Sequence, residues 1–459
     1  MTDQRPSPPG ITASEPMKVP LGTRPLGVFG SLAAGRRNIL ELIPQIATRA
    51  PILSGRTGKR WHMVMDPEAL RHILRDNVAN YPKSVVTKLI LEPAIGDSLF
   101  VAEGQEWLWQ RRTAAPVFSH RNVAALAPVM TAAAERAAAR IATGAGRAVN
   151  CYDEMVTATF EVISDVTFSD GEGFDRASVH RAIEDYMAQS ARVSLLDIIG
   201  APAWVPRPGR LMSGAAMRQM KRVADGSIQR RRAEGNPGVP DLLDLLLAGE
   251  DPKTGRKMTT PELRDNLLTF IVAGHETTAL TLSWALYLCA FAPEIQQAAR
   301  AEAQAALGDR AATAADVAAL PLTRRIVDET LRLYPPAAFL SRTAQAADRL
   351  CGREVLVGDT VILPIYALHR HHALWDNPDS FDPDRFAGSK PVDRYAYLPF
   401  GDGPRVCIGA NFALQEAVII LATLLARFRF DLVPGKAPTP VMILTLRPQG
   451  GVWLSVTPA

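Results

Sequence analysis

Phe400-Gly-Asp-Gly-Pro-Arg405-Val-Cys407-Ile-Gly409 sets a single cysteine in a glycine-rich loop directly ahead of a long apolar run, Ala410 to Phe430. The run reads as a helix, and its N-terminal end offers unpaired backbone N–H groups and the positive end of the helix dipole to a thiolate at Cys407. This setting is expected to lower the thiol pKa. Glycines at 401, 403 and 409 let the backbone approach a flat ligand closely, and Arg405 supplies a cation to an acidic group on that ligand. A sulfur donor, a flat face and a nearby cation are the requirements of a haem-thiolate site.

Upstream, Pro261 to Phe291 reads as one helix of about 45 Å. Its middle, Phe270-Ile-Val-Ala-Gly-His-Glu-Thr-Thr-Ala-Leu280, interrupts an apolar run with polar groups. His275 and Glu276 at its centre argue against a membrane span. A His-Glu-x-x-His zinc site is excluded, because Ala279 stands where the second histidine would be. Small residues at 273 and 274 leave room on the helix and permit a local widening of its ladder. Glu329-Thr-Leu-Arg332 places a carboxylate and a guanidinium on one helical face. Phe381-Asp-Pro-Asp-Arg385-Phe386 follows later, and Gly104-x-x-Trp107-x-x-x-Arg111-Arg112 precedes.

These stretches together resemble the cytochrome P450 family. Phe400, Gly403, Arg405, Cys407 and Gly409 match its Phe-x-x-Gly-x-Arg-x-Cys-x-Gly pattern. Ala273, Gly274, Glu276 and Thr277 match its Ala-Gly-x-Asp/Glu-Thr motif, Glu329 and Arg332 its Glu-x-x-Arg, and the Arg385 segment its Pro-Glu-Arg-Phe, with Asp384 replacing Glu. The resemblance runs from about Leu21 to the C-terminus. It implies a mainly α fold with a smaller β-rich lobe, haem b lying between a long distal helix and the helix after the cysteine loop. Cys407 would be the axial iron ligand. Ala273, Gly274, Phe400, Gly401 and Gly409 would border the haem, and Trp107, Arg111, Arg342 and Arg405 would hold its propionates. Thr277 would hydrogen-bond dioxygen or its waters, and Glu276 would link those waters to bulk solvent. Glu329, Arg332 and Arg385 would form a buried network shaping the approach to the cysteine loop. The pocket would draw on Val85, Leu89, Leu99, Leu195, Ile199, Phe270, Ala338 and Phe339, whose apolar character suits a hydrophobic lipid-, terpenoid- or steroid-like substrate.

The implied activity is monooxygenation, one atom of dioxygen entering a C–H or C=C bond. A peroxide-driven hydroxylase would dispense with Glu276 and Thr277, and a haem sensor would carry an output domain. No flavin or iron-sulfur domain fits in the remaining chain, so NAD(P)H is expected to act indirectly, through a ferredoxin reductase and a small acidic ferredoxin. Arg112 and Arg121 are the cations expected to receive it.

Composition is compatible. In 459 residues, 47% hydrophobic, the 51 Lys and Arg exceed the 47 Asp and Glu by four, too few to suggest nucleic acid. Cysteines 151, 289, 351 and 407 form neither a Cys-x-x-Cys pair nor a disulfide framework. Residues 1–20 read as a flexible proline-rich leader without a membrane anchor, and 21–459 as one catalytic domain. A cytoplasmic monomer is expected. Helices are expected at Pro67 to Asn77, Thr131 to Ala142 and Pro293 to Leu307, and a strand at Arg60 to Met65. Glu354 to Val357 and Thr360 to Leu363 read as a hairpin about Gly358-Asp359. His369-Arg-His-His372 is read as a structural turn, with no second metal.

Overall fold

In the computed structural model the described residues are 15–23, 28–167, 214–236, 238–388 and 391–459. The expected wall residues Leu195 and Ile199 lie outside them. The chain is mainly α-helical with small sheets, as the motifs implied.

The long helix spans Thr260–Phe291. Thr259 caps it: the Glu262 side chain accepts the Thr259 N–H at 2.8 Å, and Pro261 occupies the first turn, where no amide partner is needed. From Asn266 to Ala290 every residue is buried except Ala273, Gly274 and Thr277. A helix apolar on all sides belongs in a core, so this one opening at positions i, i+1 and i+4 marks the side that faces a cavity. The helix packs on Cys151–Thr167, and the cysteine helix, Ala410–Arg427, packs on His120–Thr143. By length and composition Ala410–Arg427 could cross a membrane, yet two-thirds of it (67%) is buried inside the protein. It ends three residues before the expected Phe430, because Phe428–Leu432 leaves as a strand paired with Trp453–Pro458.

The β-rich lobe is a four-stranded sheet of β1 (Ile52–Thr57), β2 (Lys59–Val64), β3 (Leu340–Thr343) and β4 (Thr360–Leu363), in the order β1-β2-β4-β3. Strand β2 runs parallel to β4, with Trp61 opposite Thr360. The hairpin expected about Gly358-Asp359 is not formed. Arg353–Val355 pairs instead with Asp348–Leu350, turning through Cys351 and Gly352 at φ 45° and 75°. Two positive φ values suit the tight hairpin turn. Asp359 does form a turn, its N–H bonding to Leu356, but its carboxylate accepts from Arg60, His62 and the Leu356 N–H, which draws the following strand into the other sheet.

The end of the supposed flexible leader is tied down. The Met17 N–H donates to Tyr287, the Tyr334 hydroxyl donates to the Met17 carbonyl, and the Val19 N–H donates to Tyr366 at 2.9 Å. Three buried tyrosines thus anchor residues that composition alone suggested were loose.

Candidate active site

One large cavity, about 1770 Å³, lies between the long helix and the cysteine loop. Its volume exceeds that of an ordinary small-ligand pocket, about 300–1,000 Å³. All the residues expected around the haem line it, from Trp107 and Arg111 through Ala273, Gly274, Glu276, Thr277 and Arg342 to Phe400, Gly401, Arg405, Cys407 and Gly409.

The cysteine loop is built by short backbone bonds. The Cys407 N–H donates to Phe400 and the Val406 N–H to Gly403, folding the segment into a narrow bend. Gly401 and Gly403 adopt φ of 69° and 72°. A Cβ on Gly403 would sit 2.0 Å from the Leu74 carbonyl oxygen, so this glycine answers a close backbone crossing inside the protein. Gly409, in contrast, faces nothing within 4 Å and serves as the N-cap of Ala410–Arg427.

Cys407 is exposed within the cavity and close to the cysteine-helix N-terminus, as expected. Its thiol, however, is not lowered: removal from bulk water by the surrounding protein pushes it up, and the Gly409 N–H and the Arg111 guanidinium offset this only in part. A helix end and one cation do not outweigh desolvation of the thiolate; a cationic metal could.

Cations gather along one wall. Arg342 is buried, and burial beside Arg405 lowers its pKa to about 10. Arg405 donates to the Tyr81 carbonyl at 3.0 Å and pairs with Glu103, while its Nε is buried without a partner. Trp107 lies beneath it, 5.7 Å from guanidinium carbon to ring centre. The residues fit haem: a sulfur opens on one face of the cavity, Ala273 and Gly274 open on it from the long helix, and guanidinium groups line one wall with a donor to spare.

The long helix remains continuous through Ala273, without the expected widening. The Thr277 hydroxyl donates to the Ala273 carbonyl at 2.8 Å. Glu276 is buried, accepts the Thr445 hydroxyl at 2.9 Å and pairs with the partly exposed Arg447 of the C-terminal hairpin. Strand-like pieces were expected after Pro434, and Leu446 does pair with Met442 there, but the meeting of this hairpin with Glu276 is not readable from any motif. Glu416 was missed. It is buried in the cysteine helix, Thr278 hydrogen-bonds it, and desolvation pushes its carboxyl well up. A lone glutamate in so apolar a helix was its signal.

Leu99, Phe270 and Phe339 line the cavity. Val85 does not: it is 58% exposed, and its helix, Val85–Ile95, turns Thr87, Leu91 and Ile95 inward at a four-residue interval. Leu89 lies in the same helix. Ala338 is fully buried outside the lining, with neighbours Ala337 and Phe339 facing in. Arg112 is not free for a partner, since Asp251 holds it bidentately at 2.6 and 2.7 Å. Arg121 is exposed.

Behind the loop, Glu329 and Arg332 are fully buried and joined by two bonds of 2.7 Å. Arg385 reaches Glu329 at 3.3 Å. His369 sits beside them and must be neutral: its Nδ1–H donates to the Arg332 carbonyl, and its Nε2 accepts the Leu398 N–H. Burial, then the Arg332 charge, pushes its pKa down to about 3. The unfolded chain therefore takes up a proton near pH 6.5 that the folded chain refuses, and stability falls as pH drops from 6.5 towards 3. Unfolding free energies from urea melts across this window should fall by about 1.4 kcal/mol per pH unit from this one group; His369→Gln should flatten that slope. Among the described residues no His, Cys, Asp and Glu cluster could hold a second metal.

Comparison with known proteins agrees with this geometry. The family model described as Cytochrome P450 matches residues 20–455. Cyclooctatin synthase and cyclooctat-9-en-7-ol 5-monooxygenase, both of Streptomyces melanosporofaciens, are each 32% identical to the chain. The alignments cover 93% of this chain and 93% of the first protein, and 94% of this chain and 92% of the second. The crystal structure of the cytochrome P450DA heme domain superimposes with a TM-score of 0.84 at 27% identity, covering 97% of this chain and 98% of that one. The chain belongs to the cytochrome P450 family and is an oxygen-incorporating oxidoreductase.

Proposed function

We propose that this enzyme inserts one atom of dioxygen into a hydrophobic small molecule, hydroxylating or epoxidising it. The observation that carries the reading is the meeting of Cys407 with the Ala273, Gly274 and Thr277 opening across one cavity. When bound, a thiolate-ligated haem supplies the reductive activation of dioxygen that the side chains themselves lack.

In this reading Cys407 holds the iron, and Trp107, Arg111, Arg342 and Arg405 take the carboxylates. Phe400, Gly401 and Gly409 shape the near face, and Ala273 and Gly274 the far one. The Thr277 hydroxyl can leave the Ala273 carbonyl to hold a water or donate a proton on the cavity side, and Glu276 can hand a proton inward when Arg447 releases it towards solvent. Leu99, Phe270 and Phe339 bury the substrate and exclude water. The relative named for monooxygenation of cyclooctat-9-en-7-ol supports a hydrophobic unsaturated alcohol or similar terpenoid as the substrate class. Electrons reach the site from NAD(P)H through a ferredoxin reductase and a ferredoxin, and the enzyme works as a cytoplasmic monomer. Turnover under ¹⁸O₂ with such partners should place one labelled atom in the product and the other in water. Product labelled from H₂¹⁸O, or formed without reductant, would overturn the proposal.

A further inference from the structure

The resemblance assigns four groups to the cofactor's carboxylates, but a further cation, Lys83, lines the cavity, and Glu103 sits against it and Arg405. Lys83 is mostly buried. Its ammonium donates to the Leu99 and Ala102 carbonyls at 3.1 Å each, and it makes a backbone bridge to Arg342. Burial, followed by repulsion from Arg405 and Arg342, lowers its pKa to about 7, although Glu103 pulls the other way. Glu103 is the N-cap residue of Gly104–Ala114, the helix that carries Trp107 and Arg111, yet its side chain does not cap. It accepts the Lys83 N–H at 2.7 Å through one oxygen and pairs with Arg405 through the other.

A glutamate is a poor N-cap, and this one is used elsewhere. When Lys83 is protonated, it and its neighbours Arg342 and Arg405 set three cations against the one Glu103 carboxylate, leaving two positive charges there. Haem carries two carboxylates. They would complete the neutralisation, and two arriving anions would favour the charged form of Lys83.

We propose that Lys83 is a further binding cation for the haem carboxylates and that Glu103 competes with them for Arg405, weakening cofactor retention. The inference rests on the haem reading above and extends it to residues that the motif left out. It predicts effects of opposite sign. Glu103→Gln keeps an oxygen for the Lys83 N–H and removes the competing charge, so it should hold haem more tightly.

The test is the rate of haem transfer from the holoenzyme to excess apomyoglobin. Lys83→Met should lose haem roughly tenfold faster, and Lys83→Arg should stay near wild type. Glu103→Gln should lose it several-fold more slowly, and 1 M salt should compress both differences from wild type. Unchanged loss from Lys83→Met, or equal or faster loss from Glu103→Gln, would overturn the proposal. A wild-type protein that takes up no haem would instead sink the haem reading itself.

Discussion

Glu329→Ala is expected to yield protein without haem, destabilised by about 3–5 kcal/mol. The reason lies in the fully buried Arg332, whose five N–H donors are all satisfied. Two go to Glu329, two to the His369 and Pro378 carbonyls, and one to Ser380. Glu329 also accepts the Asp382 N–H and reaches Arg385. Alanine would strand one buried guanidinium, loosen a second and free the Asp382 amide at a stroke. Arg385 fastens the Asp376 and Asn377 carbonyls as well, so the damage should spread into the segment leading to Cys407. Urea midpoints and the haem-to-protein ratio measure it. Purified Glu329→Ala with full haem and an unchanged midpoint would contradict the account.

Thr277→Ala should do the opposite: leave fold, haem and substrate binding intact, and misdirect the electrons. Its hydroxyl faces the cavity and its one bond within the protein goes to a carbonyl already in the helix, so little stability depends on it. Without that hydroxyl, proton delivery in the cavity loses its order. Hydrogen peroxide should rise and product per NAD(P)H fall by about a hundredfold, the lower end of what one positioned proton donor contributes. Thr277→Ser should restore most of the coupling. Wild-type coupling in Thr277→Ala would remove this residue from the mechanism.

Features legible in the sequence share one property: their physics is local. The run Ala410 to Arg427 declares its helix, Pro261 and Glu262 declare the start of the long one, and Pro293–Leu307 forms as its composition suggested. Ala273, Gly274 and Thr277 form one face by helical spacing alone. What stayed hidden depends on partners distant in the chain. Asp359 directs its strand to Arg60 and His62, nearly 300 residues earlier, so a local turn signal misjudged the pairing. Val85 and Ala338 are as apolar as their neighbours, and only packing reveals which residues turn inward. Arg112 looked available until Asp251, 139 positions away, claimed it. Glu103 and Lys83 belong to no motif, and their meeting with Arg405 exists only in the fold.

Cys407 illustrates both cases. Its position was evident from the loop, but the balance of forces on its sulfur was not, since desolvation by the surrounding protein outweighs the helix end and Arg111. The central claim is therefore that this thiol becomes the ligand of a haem iron. The ferrous protein under carbon monoxide tests that most directly. The wild type should show the long-wavelength Soret band of thiolate ligation, and Cys407→Ala should lose it. A short-wavelength band in fully folded wild-type protein, or an unchanged long-wavelength band in Cys407→Ala, would contradict it.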